Sequence, residues 1–360
     1  MDKAIDFPTD IRYDGLDNSD MKAEERMSEE LLTPAEVAGL LGTVPRTITR
    51  WVDDGILPAV VTPGGHRRIP KSAVMEYRQK LNREGPRKVV IINQKGGVAK
   101  TTVTVNWAVL LAQSGARVLI VDLDTQGNSA LSLGYDPDKL ERTLYNSLLH
   151  PQDVPLTDVI LHTRFGVDLV PLNLTASNMD VEFNSNPMWG LLLRTLLDTV
   201  RDAYDYILFD CGPNLGKTTV MGLLAANYVV IPTQPQKLSI HGLRMLLSRI
   251  EEAQAAGNPS LQVAGVLLTM VQGVQTDQAM EESLRKALDG SSRRALKVFA
   301  GSIPLRAAYK DVANDGEVMA ALRPNSEATT YFRVTLAELL TVIGGATAPE
   351  AVAPRQKVAV

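Results

Sequence analysis

A glycine-rich loop between an apolar run and a helical pattern constrains this chain more than any other feature. The loop runs Asn93-Gln94-Lys95-Gly96-Gly97-Val98-Ala99-Lys100-Thr101-Thr102 and follows the apolar residues 89–92. Glycines let the backbone turn tightly and point its N–H groups inward, and the start of a helix adds positive potential. Lys100 supplies a full charge, and the Thr101 hydroxyl can coordinate Mg²⁺. The loop is therefore predicted to hold the phosphates of a nucleotide.

Two acidic motifs follow further apolar runs downstream of this loop. The first continues from the run 118–121 through Asp122 and Asp124, and the second ends the run 206–209 at Asp210. Together with a lysine placed just before the paired glycines, these motifs resemble those of the ParA/MinD ATPases. The resemblance spans residues 86–343 and implies a P-loop fold that binds ATP and Mg²⁺.

The resemblance also implies a role for each motif residue. Lys95 reaches the phosphates of a partner subunit in an ATP-sandwiched homodimer, and Asp124 orients the attacking water. Asp122 is expected to support the loop after its strand, and this structural role is slightly favoured over a direct functional role. The implied catalytic residues are Lys95, Lys100 and Asp124. The implied metal ligands are Thr101 and Asp210. The implied nucleotide-binding residues are Lys95, Gly96, Gly97, Val98, Ala99, Lys100, Thr101, Thr102, Pro304 and Arg306.

One motif departs from the family pattern. Relatives commonly carry Pro-Arg-Asn, with an arginine implicated in sequence-independent DNA binding, where this chain has Pro304-Leu305-Arg306. The hypothesis that follows is that another part of the chain has taken over much of the DNA contact.

Strand-like apolar runs alternate with helical patterns over residues 84–343, which is typical of a mostly parallel α/β sheet wrapped by helices. A compact helical unit is predicted before it, at residues 29–83. Residues 1–28 are rich in Asp and Glu and predict a disordered tail. Residues 344–360 predict a second flexible tail.

The unit at 29–83 contains a helix-turn-helix pattern. Thr33-Pro34-Ala35-Glu36 fits a capping box, and Gly42 is expected to end the first helix. A second helix starts at Pro45, with Trp51 on its buried face. A turn from Thr62 to Arg68 follows. The segment resembles the MerR/excisionase type of winged helix-turn-helix, in which the second helix enters the major groove and the wing meets the backbone.

Charge in this unit favours contact with DNA. Residues 31–85 hold eight Lys and Arg residues against five Asp and Glu, although the whole chain has a net charge of −4. Phosphate neutralisation supplies much of the energy of DNA binding. A protein–protein adaptor with a merely solvated basic face is the alternative. The predicted DNA-binding residues are Arg46, Thr47, Thr49, Arg50, His66, Arg67 and Arg68.

Composition excludes several function classes. No apolar run is long enough to span a bilayer, and the N-terminus is acidic, unlike a signal peptide. A cytoplasmic, nucleoid-associated protein is expected. A single cysteine, Cys211, is too little for an intramolecular disulfide or an iron–sulfur cluster, and it is predicted to be a packed, inert thiol.

The leading interpretation is a partition ATPase that dimerises on ATP, binds DNA and is triggered by a ParB-like adaptor. The alternative is a transcriptional regulator that uses ATP only as a dimerisation switch, with little turnover. A MinD-like membrane ATPase would need a C-terminal amphipathic helix, and two prolines interrupt residues 347–355.

Overall fold

The chain forms two compact units, residues 1–84 and 85–360. The computed structural model describes residues 30–41, 45–53, 57–62, 64–83, 85–183, 188–236, 239–272, 282 and 296–344. The tails predicted at 1–28 and 344–360 lie outside these residues, except for Gly344.

The described residues of the N-terminal unit combine three helices with a small antiparallel sheet. In chain order its elements are β1 (Leu31–Leu32), α1 (Pro34–Leu41), α2 (Pro45–Asp53), β2 (Val60–Val61), β3 (Arg67–Pro70) and α3 (Lys71–Arg83). Strand β3 lies between β1 and β2. This order places a helix pair and a hairpin in one unit, as a winged helix-turn-helix requires.

Local sequence signals account for the start of this unit. The Thr33 N–H donates to Glu36 Oε2 (2.7 Å), and the Glu36 N–H donates to Thr33 Oγ1 (3.2 Å), which forms the expected capping box. Ile48 and Trp51 on α2 are buried, as their helical spacing predicts. The Trp51 ring contacts Tyr77 of α3, with centroids 5.3 Å apart. Trp51 is thus a core residue.

The second unit is a three-layer α/β domain. Its strands are β4 (Arg87–Ile91), β5 (Val118–Leu123), β6 (Leu161–His162), β7 (Asp168–Val170), β8 (Tyr206–Cys211), β9 (Tyr228–Thr233), β10 (Gln262–Val271) and β11 (Val298–Pro304). Its α-helices are α4 (Lys100–Gln113), α5 (Asn128–Ser132), α6 (Leu144–Leu149), α7 (Met179–Glu182), α8 (Leu192–Asp198), α9 (Lys217–Ala225), α10 (Ser239–Ala256), α11 (Ala307–Asn314), α12 (Met319–Leu322) and α13 (Glu327–Val342).

The strands form one sheet in the order β11-β10-β9-β4-β8-β5-β7-β6. Every pairing is parallel except that of the edge strand β6 with β7. All six residues of β5 and of β8 are buried, because helices cover both faces of a parallel sheet. This architecture confirms the predicted fold class. It also brings the carboxyl ends of β4, β5 and β8 to one edge.

Successive residues of the central strands lie on opposite faces of the sheet and pack into two separate hydrophobic cores. Val90 and Phe209 belong to the core on one face, whereas Val89 and Leu208 belong to the core on the other. On the second face α4 packs beside α13, where the buried Trp107 Nε1–H donates to the carbonyl of Phe332 at 3.2 Å. The centre of the sheet is thus buried on both faces, and α4 packs on the second of them. Within the described residues, no helix is both long and apolar enough to cross a membrane.

Candidate functional site

The phosphate loop leaves β4 and runs into α4 with two residues in the left-handed region. Gly97 has φ 70°, and Ala99, the residue before α4, has φ 62° and ψ 29°. Thr269 on β10 donates its hydroxyl to the Val98 carbonyl at 3.0 Å. The loop is therefore fixed from two sides, by the start of α4 and by a strand two positions away in the sheet.

Lys100 lies inside the loop with 8% of its surface exposed. Its Nζ donates to the carbonyl of Lys95 at 3.2 Å, across the mouth of the loop. Burial lowers the pKa of Lys100, while Asp210 and Asp124 among its neighbours act to raise it. A buried ammonium facing carboxylates and inward-turned backbone is suited to binding phosphate oxygens.

Lys95 occupies a different environment on the same loop. Its Nζ donates to Gln234 Oε1 at 2.6 Å and to Gln236 Oε1 at 2.5 Å. Gln234 also donates its Nε2 to the Gly97 carbonyl at 3.3 Å. Both glutamines follow β9, the strand beside β4. The sequence pattern did not reveal this contact, because it joins segments about 140 residues apart.

Three carboxylates converge beside the loop, at the ends of the neighbouring strands β5 and β8. Asp122 and Asp210 are register partners and are fully buried, and Asp124 is 8% exposed. Asp122 accepts from the N–H groups of Asp124 (2.9 Å) and Ser129 (3.2 Å). Burial and the neighbouring Asp210 raise the pKa of Asp122 well above its usual range. These contacts agree with the supporting role expected for Asp122.

Asp210 has one satisfied and one unsatisfied oxygen. Its Oδ2 accepts from the Ser129 hydroxyl at 2.8 Å, whereas its Oδ1 is buried without a hydrogen-bond partner among the described residues. Burial raises the pKa of Asp210 to about 6, and hydroxyl groups of Thr101 and Ser129 act in the opposite direction. Buried polar atoms are rarely left unpaired. Because carboxylate and hydroxyl oxygens and water are typical Mg²⁺ ligands, this free oxygen fits a magnesium site shared with Thr101.

Asp124 is held by its own loop and by a close backbone. Its Oδ1 accepts from the Gln126 N–H at 3.0 Å, and its Oδ2 accepts from Asn128 Nδ2 at 3.1 Å. A Cβ atom on Gly212 would lie 3.0 Å from Asp124 Oδ1 and 3.1 Å from its Cγ. Glycine at 212 thus leaves the space that this carboxylate occupies. The sequence motifs alone assign no role to Gly212, Asn128 or Ser129, although all three follow closely after the predicted Asp124 or Asp210 in the sequence.

Cys211 is a buried thiol next to these carboxylates. It is 1% exposed, and burial raises its pKa well above the usual range. A thiol that is both inaccessible and protonated is a poor nucleophile, so the structure agrees with the inert role predicted for it.

The residues predicted for the far side of the nucleotide site lie three strands from β4. Pro304 ends β11, and Arg306 immediately precedes α11. Arg306 pairs with Glu327 (Nη2 to Oε2, 3.0 Å) and lies over the Tyr331 ring at 5.5 Å. Leu305, at the departure from the family motif, is 45% exposed. The structure places Pro304 at the same edge of the sheet as the phosphate loop. Contact of Pro304 and Arg306 with a nucleotide stays a prediction.

The predicted DNA-binding residues divide between helix α2 and the hairpin. Arg46 is exposed near the start of α2, while the side chains of Thr47 and Arg50 lie outside the described residues. The Thr49 hydroxyl donates to the Pro45 carbonyl at 3.1 Å.

In the hairpin, the Thr62 N–H donates to the His66 carbonyl at 2.9 Å, and His66 is exposed. Arg67 is held within the unit, since its guanidinium pairs with Asp53 at 2.6 Å and donates to the Thr49 carbonyl at 3.3 Å. Arg68 donates to the Arg67 carbonyl at 3.0 Å. Arg67 thus fixes the hairpin to the end of α2, and DNA would compete with Asp53 for it.

Comparisons with known proteins give one family match in each of the two compact units. The sequence matches the family described as "AAA domain" over residues 86–263 and the family described as "Helix-turn-helix domain" over residues 31–82. The sporulation initiation inhibitor protein Soj of Bacillus subtilis is 32% identical over 250 residues, covering 68% of this chain and 94% of Soj. The chromosome partitioning protein ParA of Caulobacter vibrioides is 33% identical over 234 residues, covering 64% of this chain and 85% of ParA.

Solved structures extend the similarity to the nucleotide-bound fold. Cobyrinic acid a,c-diamide synthase from Mycobacterium smegmatis, with bound ADP and magnesium, superposes with a TM-score of 0.58. That pair is 32% identical in sequence, and the alignment covers 66% of this chain and 94% of the other.

Proposed function

Because this chain belongs to the family of the ParA and Soj ATPases, we propose that it hydrolyses ATP with Mg²⁺ and partitions DNA as an ATP-bound dimer. The observation that carries the proposal is the contrast between the two lysines of the phosphate loop. Lys100 is buried beside carboxylates at the catalytic edge, whereas Lys95 is held on the exposed side by neutral amides. One cation serves the nucleotide of its own chain, and the other, once it leaves the two amides, serves the nucleotide of a partner chain.

The chain's own groups divide the work of phosphoryl transfer. The N–H groups from Gly96 to Thr102 and the Lys100 ammonium bind and orient the phosphates. Mg²⁺, when bound, neutralises negative charge on them. Thr101 and Asp210, whose Oδ1 lacks a hydrogen-bond partner among the described residues, would hold this ion. The chemistry depends on positioning and electrostatics, which a rigid sheet edge supplies.

Asp124 is the group that orients the attacking water. Each of its oxygens accepts one hydrogen bond from its own loop. A carboxylate oxygen has two lone pairs, so each oxygen retains the capacity to accept from a water molecule. The hydrogen bonds from the Gln126 N–H and the Asn128 side chain fix the directions in which the remaining lone pairs of Asp124 point.

The N-terminal unit supplies sequence-specific contact with DNA. Its basic excess and the exposed Arg46 and His66 support this assignment. Arginine side chains on a recognition helix read guanine edges, and hairpin cations contact phosphates. The exposed Leu305, where relatives commonly carry an arginine, supports a larger share of the DNA contact for this unit.

A ParB-like adaptor stimulates hydrolysis and releases the protein from its DNA, in a cytoplasmic, nucleoid-associated cycle. The competing function is a regulator that dimerises on ATP with little turnover. It is favoured by the same observation as the DNA assignment, namely a helix-turn-helix unit in the same chain. The two functions differ in turnover, because only a partition ATPase releases phosphate faster when DNA and adaptor are both present.

Phosphate release by the full-length protein tests the proposal. Wild type should hydrolyse ATP in a Mg²⁺-dependent manner. DNA together with an adaptor protein, encoded by a gene next to that of this chain, should accelerate phosphate release. Lys100→Ala should abolish nucleotide binding, because the phosphates lose their central cation. Lys139→Ala is a matched control, since Lys139 is a solvent-exposed lysine whose ion pair, within the described part of the chain, is with Asp136 alone. Equal nucleotide affinity in wild type and Lys100→Ala would reject the site.

A further inference from the structure

The loop after β9 is bound to the phosphate loop at several points. Asn93 Nδ2 donates to the Pro232 carbonyl at 2.6 Å, and Gln234 Nε2 donates to the Gly97 carbonyl at 3.3 Å. Lys95 Nζ donates to the amide oxygens of Gln234 and Gln236 at 2.6 and 2.5 Å. Two of the three N–H bonds of this ammonium are therefore directed at the lysine's own chain.

This arrangement conflicts with the use of Lys95 by a partner chain. An ammonium that bridges Gln234 and Gln236 cannot also reach phosphates bound by a second copy. The lysine must leave both amides before it can cross. Hydrogen bonds from a charged donor are stronger than those between neutral groups, so their loss opposes association.

The two glutamines hold Lys95 in different ways. Gln234 contacts both Lys95 and Gly97, so it also supports the phosphate loop. Among the described residues, the side chain of Gln236 is hydrogen-bonded to Lys95 alone, and its backbone N–H donates to the Gln234 carbonyl at 2.8 Å. Gln236 can therefore be changed without removing a group that supports the phosphate loop.

We infer that Gln234 and Gln236 form a latch that keeps Lys95 on its own chain and sets the threshold for ATP-dependent dimerisation. The partner in this inference is a second copy of the chain, and the inference rests on the proposed function. Gln234 and Gln236 are positioning residues that act through Lys95. The latch keeps the protein monomeric until the free energy gained when Lys95 binds the partner's phosphates exceeds the free energy lost when Lys95 leaves the two amides.

Two substitutions at Gln236 change the latch in opposite directions. Gln236→Ala removes one acceptor, so the dimer should form at lower protein concentration. Gln236→Glu replaces a neutral acceptor by a carboxylate facing the Lys95 ammonium, so the dimer should form at higher concentration. Opposite shifts distinguish a latch from general structural damage, which would weaken the dimer in both variants.

Sedimentation velocity of the full-length protein with Mg²⁺ and a non-hydrolysable ATP analogue measures the dimer Kd. Relative to wild type, Gln236→Ala should lower this Kd about three- to tenfold, and Gln236→Glu should raise it by a similar factor. Gln262→Ala is a matched control, because Gln262 is exposed at the amino end of β10, opposite the phosphate loop. Its dimer Kd should equal that of wild type.

The outcomes separate the latch from the proposed function. If wild type dimerises and both Gln236 variants keep its Kd or weaken the dimer together, the latch is wrong and the proposed function stands. If wild type stays a single chain while it binds the analogue, the proposed function fails and the latch fails with it. Analogue affinity, measured below the dimer Kd, should be the same in wild type and in the Gln236 variants.

Discussion

Replacing Ala99 by glycine should stabilise the nucleotide-free protein, because Ala99 is held in the left-handed region. Its backbone has φ 62° and ψ 29°, directly before α4. A left-handed conformation costs an L-residue roughly 1–2 kcal/mol relative to the right-handed one, and glycine avoids most of this strain. Glycine also raises the conformational entropy of the unfolded chain, which lowers the free energy of unfolding by about 0.4–1 kcal/mol. The net gain in the free energy of unfolding is about 0.5–1 kcal/mol.

For a unit of this size, such a gain raises the Tm by about 1–3 °C. Differential scanning calorimetry of the full-length protein without nucleotide measures the shift. Nucleotide must be absent, because a ligand that binds only the folded state adds stabilisation of its own.

Two neighbouring glycines provide matched controls. Gly97 has φ 70° and Gly96 lies outside the positive range, and a Cβ on either residue would meet no atom within 4 Å. Gly97→Ala should therefore lower the Tm by about as much as Ala99→Gly raises it, whereas Gly96→Ala should raise it slightly, because alanine reduces the entropy of the unfolded chain without backbone strain. Equal effects of the two alanine substitutions, or a lower Tm for Ala99→Gly, would refute the backbone geometry of the loop.

Four further predictions concern the catalytic edge and the N-terminal unit. Gly212→Ala should reduce stimulated phosphate release about tenfold or more, because the new Cβ lies 3.0 Å from Asp124 Oδ1 and displaces that carboxylate; unchanged release would exclude Asp124 from positioning the water. Asp210→Asn should stabilise the nucleotide-free protein above pH 6 in thermal melts. The raised pKa of Asp210, about 6, means that the native carboxyl binds its proton more tightly than the unfolded one, so ionisation costs stability as pH rises from about 4 to 6; equal melts at pH 8 would contradict this. Arg46→Ala should weaken DNA binding, and fluorescence anisotropy at several salt concentrations identifies the contact that is lost. Loss of a phosphate contact weakens binding to all sequences and reduces the salt slope by about one, whereas loss of a base contact weakens binding to one site only. Arg67→Ala should in addition lower the Tm of the N-terminal unit, through loss of the contacts with Asp53 and the Thr49 carbonyl; an unchanged Tm would remove its structural role.

Most of the fold and the centre of the site followed from local sequence. Asp210 stands at the end of one apolar run, and Lys100 lies in the loop that follows another. The carboxyl ends of neighbouring parallel strands meet at one edge of the sheet. The capping box at Thr33 and the burial of Trp51 also depend on residues only a few positions apart.

The contacts that escaped prediction depend on which strands are neighbours in the sheet. Lys95 meets Gln234 only because β9 lies beside β4, and Ser129 meets Asp210 only because β5 lies beside β8. The pairing of Arg67 with Asp53 similarly requires the hairpin to fold back on α2. The order of segments along the chain does not determine these adjacencies, so residue type and spacing could not reveal them.

The molar mass of the Lys95→Ala variant in light scattering tests the central claim most directly, that one lysine of the loop serves the partner's nucleotide. With Mg²⁺ and a non-hydrolysable ATP analogue, wild type should have twice the mass of one chain. Lys95→Ala should bind the same analogue, through Lys100 and the rest of the loop, and keep the mass of one chain. A Lys95→Ala protein that dimerises as readily as wild type would contradict the account.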